Sequence, residues 1–205
     1  MSSEISNTKK YYDKFAEKWS MSKTFSFHHE KQFKKILSFW PEKGRIIDIG
    51  CADGIHLPLF LGMGHKLKYL GIDISKSFLK IAKSRYPQIN FQQADISDKS
   101  TLPKLKFDGF WAGAVLMHVP LTKWDEMLSN IESITKKGAY GYISLPTEHP
   151  SIEIGSEDIR HFTTLPDIEQ QKIIKKRSWK IKAKGIINGS SKKNIWHWYI
   201  VQLPS

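Results

Sequence analysis

Three carboxylates, Asp48, Asp73 and Asp95, stand at or near the ends of three short apolar runs, and that repetition is the strongest chemical signal in the chain. Asp48 leads into Gly50-Cys51-Ala52-Asp53-Gly54, where glycine permits a tight turn and close approach of backbone to ligand before a helix begins. Asp73 follows Tyr69-Leu-Gly-Ile; a carboxylate there either accepts hydrogen bonds from both hydroxyls of a ribose or caps the next helix ahead of Ser75. Asp95 suits an exocyclic amine, with the apolar Ile96 behind it to pack on a purine. His118 lies a few residues beyond a fourth apolar run, 107–112. It is a candidate to take a proton from an acceptor hydroxyl or amine, because imidazole titrates near neutrality, or else it holds its loop by hydrogen bonds. His149 and the pair Arg160-His161 are candidates to line an acceptor pocket, Arg160 by gripping a carboxylate or phosphate.

Other chemistries are excluded by the same residues. A dinucleotide fingerprint needs glycine at 50, 52 and 55, but 52 is alanine and 55 isoleucine. No Gly-Lys-Ser/Thr is present for a P-loop. Cys51 is the only cysteine, which leaves no internal disulfide and no multi-cysteine metal centre. The histidines, including His28-His29, lack metal-ligand spacing, so no metal site is expected.

The elements that must position these groups follow from periodicity. Residues 7–40 read as helical, with aromatics at Tyr12, Phe15 and Trp19, a second stripe at Phe33, Ile36, Leu37 and Trp40, and a stop at Pro41. Strands are predicted at 45–50, 69–73, 90–94, 107–112 and 139–145. Helices are predicted at 55–61, after the Ser75 cap, from Thr122 to a Lys136-Lys137-Gly138 terminus, and at 167–176. In the third of these, Leu121, Trp124, Met127, Leu128, Ile131 and Ile134 share a face. Strands at 179–187 and 195–203, joined by Asn188-Gly-Ser-Ser191, close the chain as a hairpin. Alternating strands and helices imply an α/β fold with a doubly wound, mostly parallel sheet, ligands sitting at the C-terminal strand ends.

With 205 residues, 40% hydrophobic and 25% charged, one domain over 1–205 is expected, 1–43 as an N-terminal helical lid and 44–205 as a Rossmann-like core. No signal peptide or spanning segment is visible, so a soluble, cytoplasmic protein without membrane contact is expected. The net charge is +12, and residues 171–205 carry nine basic side chains and no acid. That region is a candidate for nucleic acid, but 28 of the 32 cationic residues are lysine, whereas bidentate recognition leans on arginine; a solvated face is favoured.

Taken together, the acidic strand ends resemble the class I S-adenosylmethionine-dependent methyltransferase family, over nearly the whole chain. The family's glycine-rich first motif falls on residues 48–54, its ribose-binding acid on Asp73 and its adenine-contacting pair on Asp95-Ile96. The usual middle glycine of that motif is Ala52 here. The fourth-strand motif falls on Phe107-Asp108-Gly-Phe-Trp111-Ala112 and runs on to His118-Val-Pro120. With Tyr12-Asp13-Lys-Phe15-Ala16 and Trp19, it is similar to the small-molecule branch containing ubiquinone/menaquinone-type enzymes. The resemblance implies a seven-stranded sheet ending in an antiparallel hairpin strand, and S-adenosylmethionine as cofactor, released as S-adenosylhomocysteine. It also implies a cofactor set of Tyr12, Trp19, Asp48, Gly50, Cys51, Ala52, Gly54, Asp73, Ile74, Asp95, Ile96 and Ala112. The Tyr12, Phe15 and Trp19 stripe should close over the cofactor, since a sulfonium gains from an aromatic face.

The acceptor is narrowed by absences. Ala112-Gly-Ala-Val stands where base amino-methyltransferases carry Asn/Asp-Pro-Pro-Tyr, Cys51 is not preceded by proline, and no spaced Lys-Asp-Lys-Glu set is seen. A small acceptor methylated at oxygen or nitrogen is the expectation. An RNA-directed enzyme using the lysine-rich end, or a non-catalytic S-adenosylmethionine-binding module, is the alternative.

Overall fold

The computed structural model describes residues 2–22, 29–62, 66–148, 158–188 and 195–205. Seven strands form one sheet in the order β3-β2-β1-β4-β5-β7-β6. Their ranges are β1 Lys43–Ile49, β2 Lys66–Asp73, β3 Asn90–Gln93, β4 Phe107–Gly113, β5 Thr135–Pro146, β6 Lys180–Asn188 and β7 Ile195–Gln202. The first five pair in parallel, while β7 runs antiparallel between β5 and β6. The helices are α1 Ser3–Ser22, α2 Glu30–Leu37, α3 Leu57–Gly62, α4 Lys76–Arg85, α5 Trp124–Ile134 and α6 Asp167–Lys176.

The central strands are apolar on both faces, as a sheet covered on two sides requires. Successive residues therefore split between two cores. Ile47, Phe110, Ile143 and Val201 face α5 and α6 through Met127, Ile131 and Ile174. Ile46, Trp111, Tyr142 and Ile200 face α2, α3 and α4 through Phe33, Ile36, Leu57 and Leu79. Trp111 stacks on Tyr142 with ring centroids 3.9 Å apart and planes 12° from parallel. Such a pair adds about 0.5–1.5 kcal/mol beyond the area it buries.

Several boundaries depart from the periodicity. The N-terminal helical stretch begins at Ser3, and α1 and α2 are separate helices. Residues 52–56 are turns, so the helix expected at 55–61 starts only at Leu57. The helix expected to run to Lys137 ends at Ile134. Thr135 Oγ1 there donates to the Ile131 carbonyl at 2.8 Å, and the chain turns into β5. Lys136 and Gly138 belong to that strand, where five residues of β5 pass opposite two of β4 as a bulge. Lys136 Nζ reaches Asp108 at 2.5 Å. Leu121 sits in a short 3₁₀ turn and is 48% exposed, so it does not share the buried face. The turn proposed at 188–191 lies outside the described residues after Asn188.

Candidate cofactor and acceptor cavity

The C-terminal ends of β3, β2, β1 and β4 open into one cavity of about 310 Å³. That lies at the small end of the range for ligand pockets, about 300–1,000 Å³. Gly50 ends β1 with φ +72°, and a Cβ on it would stand 2.3 Å from Val115 Cγ2. Only glycine fits both demands. The turn is pinned to β2 by the Gly50 and Cys51 amides, which donate to the Ile72 carbonyl at 2.8 and 3.0 Å.

Asp73 serves the fold and the cavity at once. Its Oδ2 accepts from the Ala52 amide at 2.9 Å and its Oδ1 from the Ser75 amide at 2.8 Å, while the carboxylate lines the cavity. The cap of α4 is Ser75, whose hydroxyl accepts from the Phe78 amide. Burial pushes the Asp73 carboxyl up to about 6, against its two amide bonds. Asp95 Oδ1 accepts from the amide and hydroxyl of Ser97, at 2.8 and 2.7 Å. Its Oδ2 is buried without a partner. An unfilled acceptor beside Ile96 and Ala94 fits a group that brings an N–H.

Ala52 takes the middle-glycine position with φ +48°, so its backbone is left-handed after all. An alanine there costs about 1–2 kcal/mol, offset in part by the Asp73 hydrogen bond. Ala52→Gly should therefore stabilise the protein by about 0.5–1 kcal/mol, less than the full strain because glycine loses more chain entropy on folding. A rise of about 2 °C in melting temperature, read by calorimetry, is the expected size.

From α1, Tyr12 and Trp19 reach the cavity, and both pack edge-on or tilted against Phe78 of α4. Phe15 does not join them: it packs on Tyr11, and Ile5 and Thr8 complete the wall instead. Asp13 docks the helix, with Oδ1 accepting from the Ser75 hydroxyl at 2.7 Å and the Ser77 amide at 3.2 Å. A carboxylate at the start of α4 also meets the positive end of that helix.

His118 lines the cavity with both ring nitrogens engaged. Nδ1 lies 2.7 Å from the His161 carbonyl and Nε2 lies 2.9 Å from the Tyr12 hydroxyl. A carbonyl only accepts, so the proton sits on Nδ1 and Nε2 accepts the Tyr12 O–H. Burial pushes the imidazole down to about 4, so the ring is neutral near pH 7 rather than poised there. Arg160 is turned to another task. It forms a two-pronged pair with Asp158, donates to the Tyr12 hydroxyl at 3.3 Å and lies over the Tyr11 and Phe162 rings. His161 accepts from His118 through its carbonyl, and its amide donates to Thr8 Oγ1 at 2.9 Å. Residues 158–163 thus form a strap that ties α1 to the loop after β4, and neither Arg160 nor His161 lines the cavity.

Four other expected residues stand outside the lining, each for a packing reason. Asp48 is buried in β1, accepts from the Tyr69 hydroxyl at 2.8 Å and is pushed up to about 8 by burial. Cys51 is buried with its sulfur against Gly71. Gly54 gives way to the Tyr86 ring, and Ala112 is buried in β4. His149 lies outside the described residues. The periodicity gave no sign of His29, His56, Ile187 and Trp196, which line the end of the cavity near β4 and β7. Their signal is long-range, because a helix start, a turn and two strands far apart in the chain meet there only in the fold.

Residues 46–138 match the family described as a methyltransferase domain. The matched segment contains the Gly50 turn, Asp73, Asp95 and His118. Over 76 residues the chain is 34% identical to trans-aconitate 2-methyltransferase of Methylobacterium nodulans, covering 37% of this chain and 29% of that protein. Over a longer stretch it is 29% identical to the Afipia carboxidovorans protein of the same name, covering 50% and 41%. The matches therefore span less than half the length of these relatives. The fold extends further. The S-adenosylhomocysteine complex of DhpI superposes with a TM-score of 0.74 at 13% identity, covering 98% of this chain and 97% of that one. N-methyltransferase NodS of Bradyrhizobium japonicum, also with S-adenosylhomocysteine, gives 0.72 at 15%, covering 97% and 100%. The matched segment thus sits in the seven-stranded fold of these structures, with β7 antiparallel as expected.

Proposed function

We propose that the chain is an S-adenosylmethionine-dependent methyltransferase acting on a small-molecule acceptor at oxygen or nitrogen. The observation that carries the reading is the pairing of two carboxylates on adjacent strand ends, Asp73 beside the Gly50 turn and Asp95 with its buried, unpartnered Oδ2. Asp73 suits the ribose hydroxyls, Asp95 the adenine amine, and Ile74 and Ile96 the apolar faces between them. Bound there, S-adenosylmethionine supplies an electrophilic methyl group. The chain's part is to orient it, exclude water with α1 and the strap, and hold the acceptor in line. The named activities of the relatives and the small-molecule character of the Tyr12-Asp13 signature support a small acceptor. Calorimetric titration with S-adenosylhomocysteine tests the reading: saturable one-to-one binding, weakened in Asp95→Ala, is the expected result, and no binding would reject it.

His118 is assigned to positioning. Both nitrogens are spent on His161 and Tyr12, so His118→Ala should weaken S-adenosylhomocysteine binding by about tenfold through a loosened Tyr12. Tyr12→Phe should do the same, and the double variant should fall short of additivity, since both break one bond. At saturating cofactor the wild-type rate should show no limb at the usual imidazole value near 6.5. A limb there that vanishes in His118→Ala would instead make His118 the base.

A further inference from the structure

The end of the cavity away from Asp73 and Asp95 holds a second, differently built set of polar atoms. Gly113, at the end of β4, leaves its side-chain position bare. A Cβ there would lie 2.7 Å from Trp111 Nε1 and 3.3 Å from His56 Cε1, the carbon between the two imidazole nitrogens. Both Trp111 Nε1 and His56 Nδ1 are buried without a hydrogen-bond partner. The rings are held in place: Trp111 is clamped on Tyr142, and His29 packs edge-on to His56 and Trp111 while its Nδ1 lies 3.1 Å from the Tyr142 hydroxyl. An indole N–H only donates, whereas a neutral imidazole has one donor and one acceptor nitrogen, so His56 Nδ1 accepts when the proton sits on Nε2. Of the two, His56 lines the cavity while Trp111 lies behind it, and an unsatisfied buried nitrogen on that wall is unfavourable until a partner arrives.

We propose that this wall is the acceptor subsite, and that it takes a small, uncharged aromatic alcohol whose hydroxyl donates to His56 Nδ1. The proposal rests on the cofactor reading above, which assigns the opposite end of the cavity to adenosine. A hydroxyl is the smallest group that is donor and acceptor at once, whereas a carboxylate brings no hydrogen for His56. Burial pushes His56 down to about 3, so the ring stays neutral and offers an anion no charge. Asp73 and Asp95 in the same cavity add repulsion against anions. The remaining walls near this end, Ile187 and Trp196, suit a flat apolar body.

The test uses the full chain saturated with S-adenosylhomocysteine, titrated with 4-ethylphenol, with its methyl ether 4-ethylanisole and with trans-aconitate, by calorimetry. Phenols ionise only near pH 10, so at neutral pH the first two are both uncharged and differ in a methyl group that replaces the hydroxyl hydrogen. The phenol should bind at least about tenfold more tightly than either other compound, and His56→Phe should erase its advantage over the ether. Equal binding of phenol and ether, tighter binding of trans-aconitate, or no saturable phenol binding overturns the proposal, and none of these needs the variant to fold. If the wild-type chain fails to bind S-adenosylhomocysteine in the first place, the cofactor reading falls, a result separate from these.

Discussion

Asp73→Ala should lower affinity for S-adenosylhomocysteine by about tenfold to a hundredfold and should also destabilise the protein. The first effect comes from the loss of two charge-assisted bonds to ribose hydroxyls, worth about 1.5–3 kcal/mol each before desolvation is counted. The second is visible only in the structure. The same carboxylate receives the Ala52 and Ser75 amides, and removing it strands both donors. Each stranded amide costs about 1–3 kcal/mol, softened where water reaches it. Asp73→Asn separates the effects, because its one carbonyl oxygen still accepts from one amide but carries no charge.

The pH dependence has a definite sign. Burial raises the folded Asp73 carboxyl to about 6, above the unfolded value near 3.9, so the fold favours the protonated form. The stability of the ligand-free protein from this group is complete below about pH 4 and is lost as pH rises through about 6. Ribose hydroxyls donate to the ionised form, so ligand affinity moves the other way and should weaken as pH falls from 7 to 5. Titrations at the two pH values check this, and a pH-independent affinity that survives in Asp73→Ala would take Asp73 out of the site.

Removing residues 1–22 should abolish methyl transfer and reduce cofactor affinity by about a hundredfold or more while the sheet stays folded. Ile5, Thr8, Tyr12 and Trp19 form one wall of the cavity. An aromatic face beside a sulfonium contributes about 0.5–2 kcal/mol, more when water is excluded. Without α1 the strap also loses the Thr8 and Tyr12 contacts that hold it. Far-UV circular dichroism of the shortened chain should keep its sheet signal, because among the described residues α1 adds only Ile5 to the core of Ile47 and Phe110 and none to that of Ile46 and Trp111. Normal turnover by the shortened chain would end the lid idea.

Much of this was legible in the residues because the signals were local. The strand ends at Asp73 and Asp95, the Ser75 cap and the 167–176 helix each depend on a few neighbouring side chains, and each stands where periodicity and capping put it. What was misread depended on partners far along the chain. Asp48 looks like a site carboxylate until Tyr69 is seen across the strand, and Arg160 looks like an anion clamp until Asp158 fills it. The end of the helix at Ile134 was hidden because Lys136-Lys137-Gly138 suits a helix terminus and a strand bulge equally well. His56 and Trp111 gave no warning at all, since an unpaired nitrogen is a property of packing rather than of sequence.

The strand order carries a consequence for how the molecule comes into being. β6 is made before β7 yet has no neighbour in the sheet except β7, which wedges between it and β5. On the ribosome, then, β6 emerges as an orphan, with unpaired amides and carbonyls on both edges and nothing to recruit. The first five strands can assemble in order, but this one must wait until residues 195–202 clear the exit tunnel, and both pairings then form together. The interval is a window of exposure for Ile181, Ile186 and Ile187, closed when β7 pairs. A chain cut after residue 194 should therefore keep its first five strands paired and carry an aggregation-prone tail.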